Sequence, residues 1–184
     1  MMVDRRVVLQ GGALGLAFVV GGREMVLSPR KARAQDIPLS TLTPAERETL
    51  ESFGDVLLPG AREAGIAHFV DHQLGVSPGE ALLLARLVNV APPFVNFYRA
   101  GLKALDEAAT KSHGAPFARL SEDTKIAFVD QIRQRPPDGW VGPPSPFFYY
   151  VVRNDAVDVV YGTVEGFEKL GIPYMPHIPP SAKW

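Results

Sequence analysis

PFVNFYRAGLKALDEAATKS, residues 93–112, decides the fold class. Its apolar and small side chains Phe94, Phe97, Tyr98, Gly101, Leu102, Leu105, Ala108 and Ala109 recur at three- and four-residue intervals, and Gly114 follows as a stop. That spacing draws one continuous apolar stripe down one side of an α-helix. An amphipathic helix five turns long needs other apolar elements to cover it, and the flanking sequence supplies them.

Upstream, Thr43-Pro44-Ala45-Glu46 carries three start signals at once: a capping hydroxyl, a proline at the first helical position and a glutamate that completes a capping box. Leu50, Phe53 and Leu57 continue at helical spacing until Pro59-Gly60. A short helix is expected over Ala64–Leu74, and Pro78–Val90, apolar on most sides, reads as a buried helix ended by Pro92-Pro93. Downstream, Ser121 caps a helix that carries Ile126, Val129 and Ile132, with Arg133 and Arg135 near its C-terminal end. PPDGWVGPPSP, residues 136–146, holds five prolines and two glycines and is a loop. Ser145-Pro146 then reads as a cap and first-turn proline for Phe147–Lys169. That stretch is rich in aromatic and β-branched residues, which favour strands. No second strand lies nearby to satisfy its backbone, so a helix is expected. The last residues, GIPYMPHIPPSAKW (171–184), with four prolines and no helical period, are expected to run extended over a surface. The expected fold is all-α: a domain of about five to six helices over 44–170, with a Pro-rich loop and an extended Pro-rich tail over 171–184. A linker over 35–43 precedes it.

Residues 1–34 have a different character. Arg5-Arg6 precede a glycine-rich apolar run, Gly11–Gly22, and Ala32-Arg33-Ala34 follows. Positive, apolar and small-x-small regions in that order make an export signal with cleavage after Ala34. The paired arginines match the twin-arginine pattern of proteins exported already folded, with departures from it at Asp4, Val8 and Gln10. Basic residues Arg23, Arg30, Lys31 and Arg33 discourage the general secretory route. The alternative is a membrane anchor, but the uncharged run Val7–Gly22 is 16 residues, short of the ~20 that a spanning helix needs.

Cleavage would remove six of the 19 basic and two of the 20 acidic residues, leaving 13 against 18 and a net charge of about −5. This opposes nucleic-acid binding by charge. The chain has no cysteine, hence no disulfide, thiolate metal site, iron–sulfur cluster or C-x-x-C-H haem attachment.

Chemistry-bearing patterns are sparse. His68 and His72, four apart on one helical face with Asp71 between them, have a spacing that can serve one metal; the H-E-x-x-H arrangement and a third ligand are absent, so two part-exposed helix histidines without a metal are the favoured reading. Asp155 and Asp158, beside Arg153 and Asn154, form either an acid–base carboxylate pair or a polar helix face. Asp55 reads as a local cap. There is no nucleophile elbow and no phosphate loop, so no catalytic or cofactor-binding residue is assigned. Aromatic residues in proline-rich segments suit an interface because little chain entropy remains to be lost. Trp140, Phe147 and Phe148 around the loop, with Tyr174, Ile178 and Trp184 in the tail, are the candidates.

The run Leu57-Leu58-Pro59-Gly60-Ala61-Arg62-Glu63-Ala64-Gly65-Ile66-Ala67-His68-Phe69-Val70-Asp71 resembles the gluconate 2-dehydrogenase subunit 3 family. So do Tyr161-Gly162 through Gly166-Phe167, Leu170-Gly171, Pro173-Tyr174 and Trp184. The likeness runs from about Leu42 to the C-terminus. It implies the small subunit of a bacterial flavin-dependent sugar or polyol dehydrogenase. FAD would sit in a large catalytic partner subunit and haem c in a separate multi-haem cytochrome. It also implies a periplasmic, membrane-associated complex, in which the small subunit escorts its folded partner through the twin-arginine export machinery. Two other readings stay open: a small exported metal-dependent enzyme using His68 and His72, and a signal-anchored interaction module.

Overall fold

Thr43 opens the central helix as its sequence requires. Its hydroxyl accepts from the Glu46 amide, the Glu46 carboxylate accepts from the Thr43 amide at 2.7 Å, and Pro44 takes the first turn. In the computed structural model, residues 15–20 and 23–173 are described. The elements are β1 (Leu16–Val20), β2 (Arg23–Leu27), α1 (Pro29–Ala34), α2 (Pro44–Leu57), α3 (Ala61–Ala64), α4 (Ile66–Gly75), α5 (Leu84–Leu87), α6 (Phe94–His113), a 3-10 turn (Phe117–Arg119), α7 (Glu122–Gln134), α8 (Ser145–Tyr161) and α9 (Val164–Lys169). The domain is therefore helical. The described residues hold more helices than the five or six expected because several are single turns, too short to show a period.

Helix α2 lies at the centre and touches α3, α4, α6, α7 and α8. Leu50 and Phe53 on its inner face are fully buried. The stripe of α6 is the expected one, with Phe94, Tyr98, Leu102, Leu105, Ala108 and Ala109 buried and Phe97 half-buried; Gly114 ends the helix in the left-handed conformation. Gly101 marks the closest approach: a Cβ there would lie 2.2 Å from the ring of Phe148 on α8. Phe148 in turn stacks parallel to Phe53 at 5.7 Å, so α2, α6 and α8 meet in one aromatic cluster.

The stretch 147–169 is helical, broken once around Gly162 and Thr163, where Thr163 caps α9 through the Gly166 amide. Ser145 does not cap α8. Its hydroxyl instead donates to the Ile132 carbonyl at 2.9 Å and ties the start of α8 to α7. The expected helix over 78–90 is corrected: only Leu84–Leu87 is helical, and Leu82 and Leu87 are exposed. Polar contacts from other helices fix this segment. The Gln73 side-chain carbonyl accepts from the Leu82 amide at 2.8 Å, and the Asp155 carboxylate lies 3.4 Å from the Leu84 amide. Of the apolar residues of α7, Ile126 is exposed, whereas Phe128, Val129 and Ile132 are buried.

Residues 35–43 have no regular secondary structure, but Ile37 and Leu42 are buried. Ahead of them β1 pairs antiparallel with β2, Leu16 opposite Leu27, and α1 packs on α3 and α4. Arg5 and Arg6 lie outside the described residues, as do Tyr174, Ile178 and Trp184. Among the described residues no helix is long and apolar enough to cross a membrane.

Candidate functional site

Helix α4, Ile66–Gly75, carries the only pair of histidines with metal-type spacing, and its geometry assigns them other work. Its entry is forced by Gly65, whose φ of +89° is a left-handed conformation that glycine adopts without steric cost. His68 is fully buried, and its Nε2–H donates to the Ile37 carbonyl at 3.0 Å. Burial pushes the imidazole below its ordinary range, against the opposing pull of that carbonyl. His72 Nε2 donates to the Ala17 carbonyl of β1 at 2.9 Å, and its ring meets Phe18 at 5.2 Å.

Asp71, one residue before His72, gathers the next stretch of chain. Its Oδ1 accepts from the Thr41 and Leu42 amides at 2.8 and 2.7 Å, and its Oδ2 from the Ser40 amide and hydroxyl at 2.8 and 3.1 Å. A carboxylate that collects adjacent backbone donors fixes a non-repetitive segment as firmly as secondary structure would. One face of α4 thus holds the chain at residues 17, 37 and 40–42. His68 and His72 point their Nε2 atoms at two different carbonyls rather than at a common point. Among the described residues no group of three His, Asp or Glu converges as metal ligands.

The second cluster is Asp155 with Tyr98. Asp155 is fully buried on α8, and the Tyr98 hydroxyl donates to its Oδ2 at 2.5 Å. Burial pushes the carboxyl up to about 7, against the hydrogen bonds from Tyr98 and the Leu84 amide that favour its ionised form. Asp158 is also pushed up by burial. Asn154 is occupied with the Tyr150 carbonyl and Arg153 is exposed, so the set does not converge on a shared cleft. Asp155 anchors α5 and α6 to α8. Asp55 does cap locally: it accepts from the Arg62 amide at 2.9 Å and pairs with the Arg62 guanidinium.

The loop aromatics divide. Phe148 is fully buried in the Phe53, Phe97 and Trp140 cluster, so it belongs to the core and presents no surface, a correction to its place among the interface candidates. Trp140 and Phe147 are half-buried over that cluster, and the Trp140 indole N–H donates to the Pro143 carbonyl at 2.7 Å.

Sequence reasoning missed the part played by Asp71 and Gly65. The signal for both is visible only afterwards: an aspartate inside an apolar helix and a glycine at a helix entry. Neither names its partner, which lies about thirty residues earlier in the chain.

Comparison with curated protein sequences and with solved structures gave no match. The family model described as gluconate 2-dehydrogenase subunit 3 matches residues 44–179, well over half of the chain, beginning at the first residue of α2. The matched region contains the α4 face, the aromatic cluster and the Tyr98–Asp155 pair. The chain belongs to the gluconate 2-dehydrogenase subunit 3 family.

Proposed function

We propose that this chain is the non-catalytic small subunit of a periplasmic flavin-dependent sugar or alcohol dehydrogenase complex. It escorts the folded catalytic subunit through the twin-arginine route and stabilises it afterwards. The family match over 44–179 carries this reading. Arg5-Arg6 ahead of a glycine-rich apolar run add the export step. FAD belongs to the large partner and haem c to a cytochrome that takes the electrons onward. A single signal serves two chains, because a partner that must load its flavin before export has to cross folded.

Two features of the structure support an accessory role over the metal-enzyme alternative. The Nε2 atoms of His68 and His72 are committed to backbone carbonyls, and the Asp155 carboxyl is fully buried and held by the Tyr98 hydroxyl. Replacing Arg5 and Arg6 together by Lys is expected to leave both this chain and its flavoprotein partner in the cytoplasm. Export of the partner unchanged by that replacement would overturn the escort reading. Deleting residues 171–184 tests the tail as the partner-binding surface: the flavoprotein should no longer co-purify, and retained co-purification rules the tail out.

A further inference from the structure

The short helix α1 contains the small-x-small sequence Ala32-Arg33-Ala34, and the domain has a shaped place for it. Ser28 caps it through the Lys31 amide. Pro29 is buried, and its carbonyl oxygen crosses Gly65 so closely that a Cβ at 65 would sit 2.2 Å from it. Arg30 pairs with Glu63 on α3 at 2.5 Å. Arg33 lies 3.7 Å from the buried carboxylate of Glu51, which Arg47 holds from the other side at 3.1 Å. Ala32 is fully buried in a small cluster with Leu27 and Ile37, covered by Phe18. Three elements of the domain therefore grip this segment: α2 through Glu51, α3 through Glu63, and the α4 entry through Gly65.

A processing protease needs the opposite presentation. It takes its substrate as an extended strand and inserts the small side chains on either side of the central residue into pockets. Here Ala32 is enclosed, the backbone is helical, and the Gln35 N–H at the bond to be cut donates to the Lys31 carbonyl at 3.1 Å. The route of export decides whether this matters. A chain threaded unfolded meets the protease as open chain, whereas one exported folded brings the site already packed.

We propose that the folded domain sequesters its own Ala32-Arg33-Ala34 site, so that the exported subunit keeps the segment before Gln35. The proposal rests on the folded-export reading above. Gly65 is the control point, because only a residue without a Cβ lets Pro29 pass.

The test is made on the purified full-length chain in detergent with purified bacterial signal peptidase. The native chain is expected to be cut between Ala34 and Gln35 at least tenfold more slowly than the same chain in urea below the protease's own denaturation. Equal rates would overturn the proposal, and so would failure of the unfolded chain to be cut, since no site would then be hidden. Gly65→Val is expected to raise the cutting rate of the folded chain. If that variant does not fold, limited trypsin digestion of the native protein reads the same contact. Cleavage after Arg33 should lag cleavage after exposed Arg119, and a cut after Arg33 that is as fast refutes the docking. These outcomes do not depend on Arg5 and Arg6, whose replacement tests the export reading separately.

Discussion

Gly101→Ala sets two opposed effects against each other, and the structure predicts which wins. Glycine inside a helix normally costs ~1 kcal/mol relative to alanine, so helix propensity alone makes the substitution stabilising. At Gly101 the added Cβ would lie 2.2 Å from Cε2 of Phe148 and 2.3 Å from its Cδ2. Carbon atoms reach their contact minimum near ~3.5–4.0 Å, so the ring has to retreat by more than ~1 Å. It has nowhere to go. Phe148 is fully buried, stacked on Phe53 at 5.7 Å and backed by Trp140 at 6.1 Å. Overpacking of this kind costs ~1–3 kcal/mol, towards the upper end when a rigid ring is trapped. The net expectation is a loss of ~1–2 kcal/mol. With a urea dependence of ~2 kcal/mol per molar, the midpoint of unfolding followed by far-ultraviolet circular dichroism falls by ~0.5–1 M. Phe148→Leu supplies the control: in that background Gly101→Ala should cost at least ~1 kcal/mol less, because the two positions are in contact and cannot act additively. A Gly101→Ala protein whose midpoint rises would show that propensity prevails and that the α6–α8 contact has been misread.

Asp71→Ala removes the acceptor of three consecutive backbone amides, of which Leu42 is buried. With ~1–3 kcal/mol for each donor that water cannot reach and less for Ser40 and Thr41, the expected loss is about 3 kcal/mol, and a melting temperature lowered by less than 2 °C would contradict it. Asp155 is raised in the folded state from 3.8 to about 7, so its contribution to stability is fully present below 3.8 and is lost as pH rises through 7. Over that interval wild type should lose up to ~4 kcal/mol relative to Asp155→Asn, and a difference in unfolding free energy independent of pH between 4 and 8 would refute the buried, protonated carboxyl. Because His68 and His72 donate to backbone carbonyls, dialysis against a chelator should leave the melting temperature unchanged and elemental analysis should find no stoichiometric zinc; a fall in melting temperature restored by zinc would return these residues to the role of ligands.

Features that depend on neighbours along the chain were legible in the order of the residues. Thr43, Pro44 and Glu46 specify the start of α2 within four residues, and the stripe of α6 and the glycine after it mark a helix by period alone. The helical state of 147–169 also followed, since a lone strand there would leave its backbone unpaired, though not its break at Gly162. Contacts between distant segments decided the rest. Nothing local distinguishes 78–90 from a buried helix; the Gln73 and Asp155 side chains, reaching in from α4 and α8, break it into one turn. Nor does anything local tell a metal-binding His-x-x-Asp-His from a clamp. The difference is whether the two imidazoles converge on one point or diverge to carbonyls, and that depends on where residues 17 and 37 run. Period and capping are written in the order of the residues, whereas the partners of Gly65, Asp71 and Phe148 are assigned only when the chain closes on itself.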